Sequence, residues 1–166
     1  FLQYLVKSIV VIAFILMLIL FVNSKSIVYA QTIAIYDCNT IVGNEEQLPV
    51  KKCIEGINAS PITRGPGIKP YAWNEVFCSN QWNTTTNIDF KNYLEFTLTP
   101  DCGKSFKLNY IAMSHKRSPK GPRWFSIRTS YDSFASNLGG IIIKTESMEV
   151  ITSYFQNLTL ETDKPL

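Results

Sequence analysis

Apolar and polar residues alternate through most of the second half of the chain, at the two-residue period of a half-buried β-strand. In residues 93–99, Leu94, Phe96 and Leu98 fall on one face and Glu95 and Thr97 on the other. Pro100, Asp101, Cys102 and Gly103 then end that strand with turn-forming residues. Phe106, Leu108, Tyr110 and Ala112 alternate with Lys107, Asn109, Ile111 and Met113, so this strand tolerates apolar contacts on both faces towards its end. A further strand is predicted over 124–131, where Phe125 and Ile127 oppose Ser126 and Arg128. Ile141, Ile142 and Ile143, and then residues 148–160, supply at least two more.

The first half is less regular. Residues 32–38 predict an opening strand, and 53–63 another that Gly56 interrupts. Residues 64–91 contain Gly65-Pro66-Gly67, three consecutive threonines at 84–86 and both Trp73 and Trp82. That stretch is long for a featureless loop in a compact domain, so it predicts a short helix over 71–77 or a functional loop. No convincing amphipathic helix of ten or more residues follows position 30. Short strands with turn signals every eight to twelve residues predict an all-β fold, an antiparallel β-sandwich of the jelly-roll kind.

The amino terminus reads differently. Residues 9–22 are fourteen consecutive apolar residues, preceded by Lys7 and followed by Asn23, Ser24, Lys25 and Ser26. A spanning helix needs about 20 apolar residues to cross a hydrocarbon core of ~30 Å. Fourteen suits the apolar core of a secretory signal peptide, and Val28-Tyr29-Ala30 predicts cleavage after Ala30. An uncleaved anchor is the alternative, and this segment is then the only one to meet a membrane. The expected division is therefore a signal segment at 1–30 and one domain at 31–166. Phe1 in place of Met, and a last stretch that reads as the approach to another strand, lead us to expect a fragment of a longer chain.

Composition narrows the class further. The 166 residues are 46% hydrophobic, 13% aromatic and only 17% charged, unlike a disordered chain. Without residues 1–30, which carry Lys7 and Lys25, 14 Lys and Arg face 13 Asp and Glu, a formal charge of +1. That balance speaks against an electrostatic nucleic-acid binder. Cys38, Cys53, Cys78 and Cys102 all lie after residue 30 and include no C-x-x-C pair, so export predicts two disulfides in preference to zinc. Sequence proximity favours Cys38–Cys53 and Cys78–Cys102 among the three possible connectivities, and the alternative is that one or more are free buried thiols.

Four patches carry a resemblance. They are Ile33-Ala34-Ile35-Tyr36-Asp37, then Asn58-Ala59-Ser60-Pro61-Ile62-Thr63-Arg64-Gly65, then Tyr93-Leu94-Glu95-Phe96-Thr97-Leu98-Thr99-Pro100. The fourth is Lys116-Arg117-Ser118 with Gly121-Pro122, leading into residues 125–134. In this order they resemble an uncharacterised β-sandwich domain of secreted and surface-anchored bacterial proteins, over most of 33–160. The last patch is the most specific. The resemblance implies a β-sandwich module, often upstream of a C-terminal sorting or anchoring signal, with no established activity. Cys38 and Cys102 depart from the pattern, standing where an aromatic and a small residue are common.

Candidate chemistry is sparse. His115 is the only histidine, no G-x-S-x-G elbow is present, and a solvated strand-end imidazole explains it. Glu75, Asp89, Glu95, Asp101 and Asp132 are scattered, with no pairing that suggests a glycosidase. No cofactor is required; a structural Ca2+ ion would draw on Asp37, Asp132 and Asn137, whereas Asp132 also suits a turn that satisfies its own backbone amides. Arg117, Arg123 and Arg128 form a local basic cluster able to grip acidic sugars or a partner carboxylate. The structural alternative, which we favour, pairs Arg128 with Glu95 or Asp132 across strands and stacks it on Trp124 or another aromatic. Asn83-Thr84-Thr85 and Asn157-Leu158-Thr159 match the glycosylation pattern, which has little meaning in a bacterial host.

Aromatics offer the best sign of a ligand, because sugars stack their apolar faces on exposed rings. Tyr71, Trp73 and Trp82 lie in the irregular stretch where strand packing does not require them. The expected function is a non-catalytic extracellular module, adhesive or glycan-binding, with a polysaccharide or cell-surface component as partner. The alternative is a spacer domain whose aromatics are all core.

Overall fold

The computed structural model describes residues 31–85, 87–142 and 149–161. The expected signal segment at 1–30, Thr86, residues 143–148 (with Ile143 and Met148 of the expected strands) and the last five residues lie outside them. From Thr32 onward the chain forms one compact unit. It is all-β: twelve strands and one 3-10 turn at Ser130–Asp132 are its elements among the described residues.

Every pairing is antiparallel and joins two strands at a time. β1 (Ala34–Tyr36) pairs with β2 (Val50–Cys53), β3 (Ile57–Ala59) with β8 (Leu98–Pro100), and β4 (Thr63–Arg64) with β7 (Leu94–Glu95). β5 (Lys69–Pro70) meets β6 (Ser79–Asn80), and β10 (Trp124–Ile127) meets β11 (Gly139–Ile142). The longest ladder joins β9 (Ser105–His115) to β12 (Glu149–Glu161).

That ladder explains the double-faced reading of β9. Tyr154 pairs with Tyr110 and Leu158 with Leu108, so residues 155–157 of β12 stand opposite Asn109 alone. The two extra residues form a bulge, which turns the strand and changes the side facing inward. On β9, Leu108 is buried and Tyr110 exposed, while Ile111 is half-buried. On β12 the bulge lets Phe155 and Leu158 both turn inward, and with Leu108 they form the buried centre of a cluster. Ile33, Phe106, Ile111, Ile127 and Leu138 pack around it. Tyr110 and Tyr154 meet on the outer face, ring centroids 5.9 Å apart.

Several strand expectations need correction. The predicted strand over 93–99 is two short ones, and Leu94 is exposed instead of sharing a buried face with Leu98. Leu94 lies on β7, against β4, whereas Leu98 lies on β8, against β3, so the break at Phe96-Thr97 sends them to different neighbours. The alternative of a helix over 71–77 is overturned, because backbone bonds to residues 41–43 hold that segment as a loop. The turn after β8 is as expected: Lys104 N–H donates to Asp101 O (2.9 Å), and Gly103 adopts φ 73°, where glycine is favoured.

Tyr36 links the opening strand to the middle of the chain. Its hydroxyl donates to Ser60 O (2.6 Å), and its ring lies 5.4 Å from Phe96. Burial, and after it the neighbouring Cys53, push the phenol up to about 12. An unfolded tyrosine titrates near ~10. Between these values the unfolded chain loses the proton while the native phenol keeps it, so stability falls as pH rises from ~10 to about 12. Below that window the contribution is fully present. Absorbance titration should resolve one phenol near 12 that disappears in Tyr36→Phe; titration of all tyrosines together near ~10 contradicts it.

Candidate functional site

The segment carrying Tyr71 and Trp73 is a closed loop. Tyr71 N–H donates to Cys78 O (3.2 Å) across its neck, and Val76 N–H donates to Trp73 O (3.2 Å) inside it. The loop docks on residues 41–43 through Trp73 N–H to Val42 O (2.8 Å), Glu75 N–H to Ile41 O (2.9 Å) and Cys78 N–H to Gly43 O (3.2 Å). Backbone bonds thus fix the loop while its rings stay open: Tyr71 is 52% and Trp73 43% exposed.

Gly43 makes this docking possible. Its φ is 96°, and a Cβ there would lie 2.5 Å from Trp73 O and 2.8 Å from Val76 O. Both are backbone atoms that cannot swing away. Gly43→Ala should therefore cost about 2 kcal/mol from strain and displace the Trp73 loop, read as a lower urea midpoint. An unchanged midpoint contradicts the close approach.

Arg64 holds the same region from below. Nε donates to Ser79 Oγ (2.7 Å), and Nη2 donates to Cys78 O (2.7 Å) and Gly43 O (3.2 Å). Nη1 donates to Glu45 O, and the guanidinium lies 3.6 Å from the centroid of Phe77. The spread fork of donors suits arginine, since an ammonium has three donors on a single nitrogen and cannot span four oxygens that the guanidinium reaches from three nitrogens. Glu45 completes the hub, its carboxylate accepting from Val42 N–H (2.7 Å) and Gly43 N–H (2.9 Å). Burial works against its charge, but the amides of Glu45, Val42 and Gly43, then Arg64, outweigh burial and hold the carboxyl below its ordinary value. Burial also lowers Arg64 from its usual value, against the opposing influence of Cys78 and Glu45.

Trp82 behaves differently from its neighbours. It is half-buried, and its indole N–H donates to Ser79 O (3.0 Å). The structure thus presents Tyr71 and Trp73 outward and turns the polar edge of Trp82 inward. Lys116 comes to the platform from the far end of β9, its ammonium 4.0 Å from the centroid of Trp73.

The other candidate residues sit apart. Asp37 forms an ion pair with Lys51 and accepts from Asn39 N–H (3.0 Å). Asn137 Oδ1 accepts from Arg128 Nε (2.8 Å), and Asp132 Oδ2 accepts from Ser136 N–H (2.9 Å) and from the Ser136 hydroxyl. Most of these oxygens already face an ammonium, a guanidinium or N–H and O–H donors, an environment that repels a cation, while Asp132 Oδ1 is buried with no hydrogen-bond partner among the described residues. No group of three or more His, Cys, Asp or Glu side chains able to hold a metal ion exists among the described residues. The Ser136 hydroxyl holds the Asp132 carboxyl below its usual range, ahead of the opposing effect of burial, and the Ser136 and Ala135 amides add to it.

Arg128 pairs with neither Glu95 nor Asp132, and the aromatic it meets is Phe90, not Trp124. It closes the 129–137 loop by donating from Nη1 to Phe134 O (2.6 Å) and lies 5.3 Å from the Phe90 centroid. Strand β10 ends at Ile127, which leaves Arg128 at the loop mouth, where carbonyls are nearer than a cross-strand carboxylate.

His115 packs edge-on against Phe125 with centroids 6.0 Å apart, and neither ring nitrogen has a hydrogen-bond partner among the described residues. No described side chain orients the imidazole as a base.

The expected disulfides are not formed: Cys38, Cys53, Cys78 and Cys102 are all free thiols. Cys53 pairs in register with Ala34 while Tyr36 pairs with Val50, so β1 carries the chain three residues along β2 from Cys53 before Cys38 is reached. At ~3.3 Å per residue that separation exceeds the ~7 Å limit between bridged Cα atoms. Cys78 is tied to Gly43, whereas Cys102 lies in the turn whose Asp101 is tied to Gly56. The Cys53 thiol instead donates to Ile57 O (3.1 Å).

The hub around Arg64 escaped the sequence reading, although Thr63-Arg64-Gly65 stood inside a recognised patch. Its signal was an arginine at the end of a two-residue strand. The meeting of Lys116 with Trp73, 43 positions apart in the chain, left no local signal at all. No protein-family model, curated protein or solved structure matches this chain.

Proposed function

We propose that this chain is a non-catalytic extracellular module of a secreted or cell-surface protein that binds a polysaccharide through Tyr71 and Trp73. The single observation that carries it is the pairing of open aromatic rings with a backbone locked from two sides. Burying such rings in a folding core would be favourable. Holding them at the surface on a preorganised loop lets stacked sugar faces replace water without a further ordering cost. The apolar stretch at 9–22 suits a signal peptide ahead of an exported module. The antiparallel ladders suit a jelly-roll-like sandwich in which the β9–β12 cluster is one part of the inner layer.

Retention of the full chain on a panel of immobilised polysaccharides tests this. At least one polymer should retain it, and Trp73→Ala should weaken binding about 30-fold, as a central aromatic anchor does. Tyr71→Ala should weaken it less, and Trp82→Phe should leave it close to wild type. If no polymer retains the wild-type chain, the module is a spacer and its open rings serve no glycan.

A further inference from the structure

Charge is segregated along this chain. Residues 102–131 carry seven Lys and Arg and no Asp or Glu, although the whole sequence has 16 cations against 13 acids. A surface serving only solubility would intersperse the two signs. Four of the seven, Lys116, Arg117, Lys120 and Arg123, fall in the eight-residue connection between β9 and β10.

The structure joins that connection to the aromatic platform. Lys116 stands over Trp73, 4.0 Å from its centroid. Arg117 donates to Ser118 O (3.1 Å) and Pro119 O (3.3 Å), and Gly121 N–H donates to Ser118 O (2.9 Å), which turns the loop. Lys120 and Arg123 are exposed on it. Glu75, exposed on the platform loop, disfavours an anion on its own side and directs one towards Lys116.

The chemistry of the ligand follows from what these groups lose on binding. A neutral sugar lying on Trp73 would strip water from the Lys116 ammonium and return no charge, which is costly. A sugar bearing a carboxylate or sulfate returns a charge-assisted hydrogen bond, and an arginine can take it in bidentate fashion. We infer that the ligand of this surface is an acidic polysaccharide whose anionic groups are held by Lys116, Lys120 and Arg123 beside the ring of Trp73. The inference rests on the glycan reading above and names the class of glycan.

The test compares binding of the full chain to polygalacturonate, to the same polymer after carboxyl reduction, to dextran sulfate and dextran, and to single-stranded DNA. At least one acidic polysaccharide should bind at least about tenfold more tightly than its neutral counterpart, and raising salt from ~50 to ~500 mM should weaken it by about tenfold or more. The double variant Lys120→Glu with Arg123→Glu should lose at least about tenfold, and the milder Lys120→Gln a smaller part. Lys52→Glu, an exposed charge reversal on β2, should change little. Preference for carboxylate or for sulfate identifies which anion the site takes, and either supports the inference. Equal binding of the neutral polymers, with no effect of the loop variants, overturns it while leaving the glycan reading intact. No retention by any polysaccharide overturns both. DNA bound as tightly as the acidic glycans overturns it in favour of a general polyanion surface.

Discussion

Replacing Arg64 with alanine should cost the fold about 3 kcal/mol, since several charge-assisted hydrogen bonds are lost together and carbonyls are left short of donors. Those carbonyls belong to Gly43, Glu45 and Cys78, which anchor two separate stretches of chain to β4. The Phe77 ring also loses the cation packed on its face. Arg64→Lys should recover less than half of the loss, because one ammonium keeps the charge but not the fork of donors. Urea denaturation measures both variants, with midpoints falling at nearly constant slope. A loss below about 1 kcal/mol for Arg64→Ala would mean that the hub is an ordinary surface interaction.

The bulge in β12 supports a second large effect. Phe155 is 8% exposed within the cluster of Leu108 and Leu158, whereas its neighbour Tyr154 is 76% exposed. Phe155→Ala should therefore cost about 3–5 kcal/mol through lost burial and the cavity left behind. Tyr154→Ala should stay within about 1 kcal/mol, the value of its packing against Tyr110. Adjacent residues with such unequal effects report the register directly. Comparable losses at both positions would show that β12 pairs with β9 in another register, since a slip by one residue exchanges the two faces.

The sequence reading succeeded where the determinant was local. Alternation located β9, β10 and β12, because a period of two follows directly from strand geometry. Asp132 folded onto its own turn, the bland alternative to a calcium ligand. It failed where the outcome depended on which distant segment arrives. Leu94 and Leu98 share a parity in sequence but pair with different strands. Arg128 found loop carbonyls before any carboxylate. Cys38 and Cys53 are close along the chain, yet the register of β1 on β2 carries them apart.

At the site, the aromatic composition of 64–91 drew attention to Tyr71, Trp73 and Trp82, but alternation could not say which ring faces outward. That choice is made by three backbone bonds to residues 41–43 and by the left-handed Gly43 beneath them. None of these leaves a mark in hydrophobic pattern. A glycine next to an exposed valine is their only trace in the sequence.

The central claim is that Trp73 is held at the surface to receive a sugar. Its most direct test is the fluorescence of a full-chain variant carrying Trp82→Phe and Trp124→Phe, in which Trp73 is the one remaining tryptophan of three. Titration with the retained polysaccharide should shift that emission to shorter wavelength and protect it from acrylamide, saturating with the affinity measured by retention. Saturable binding with no change in the Trp73 emission would contradict the account.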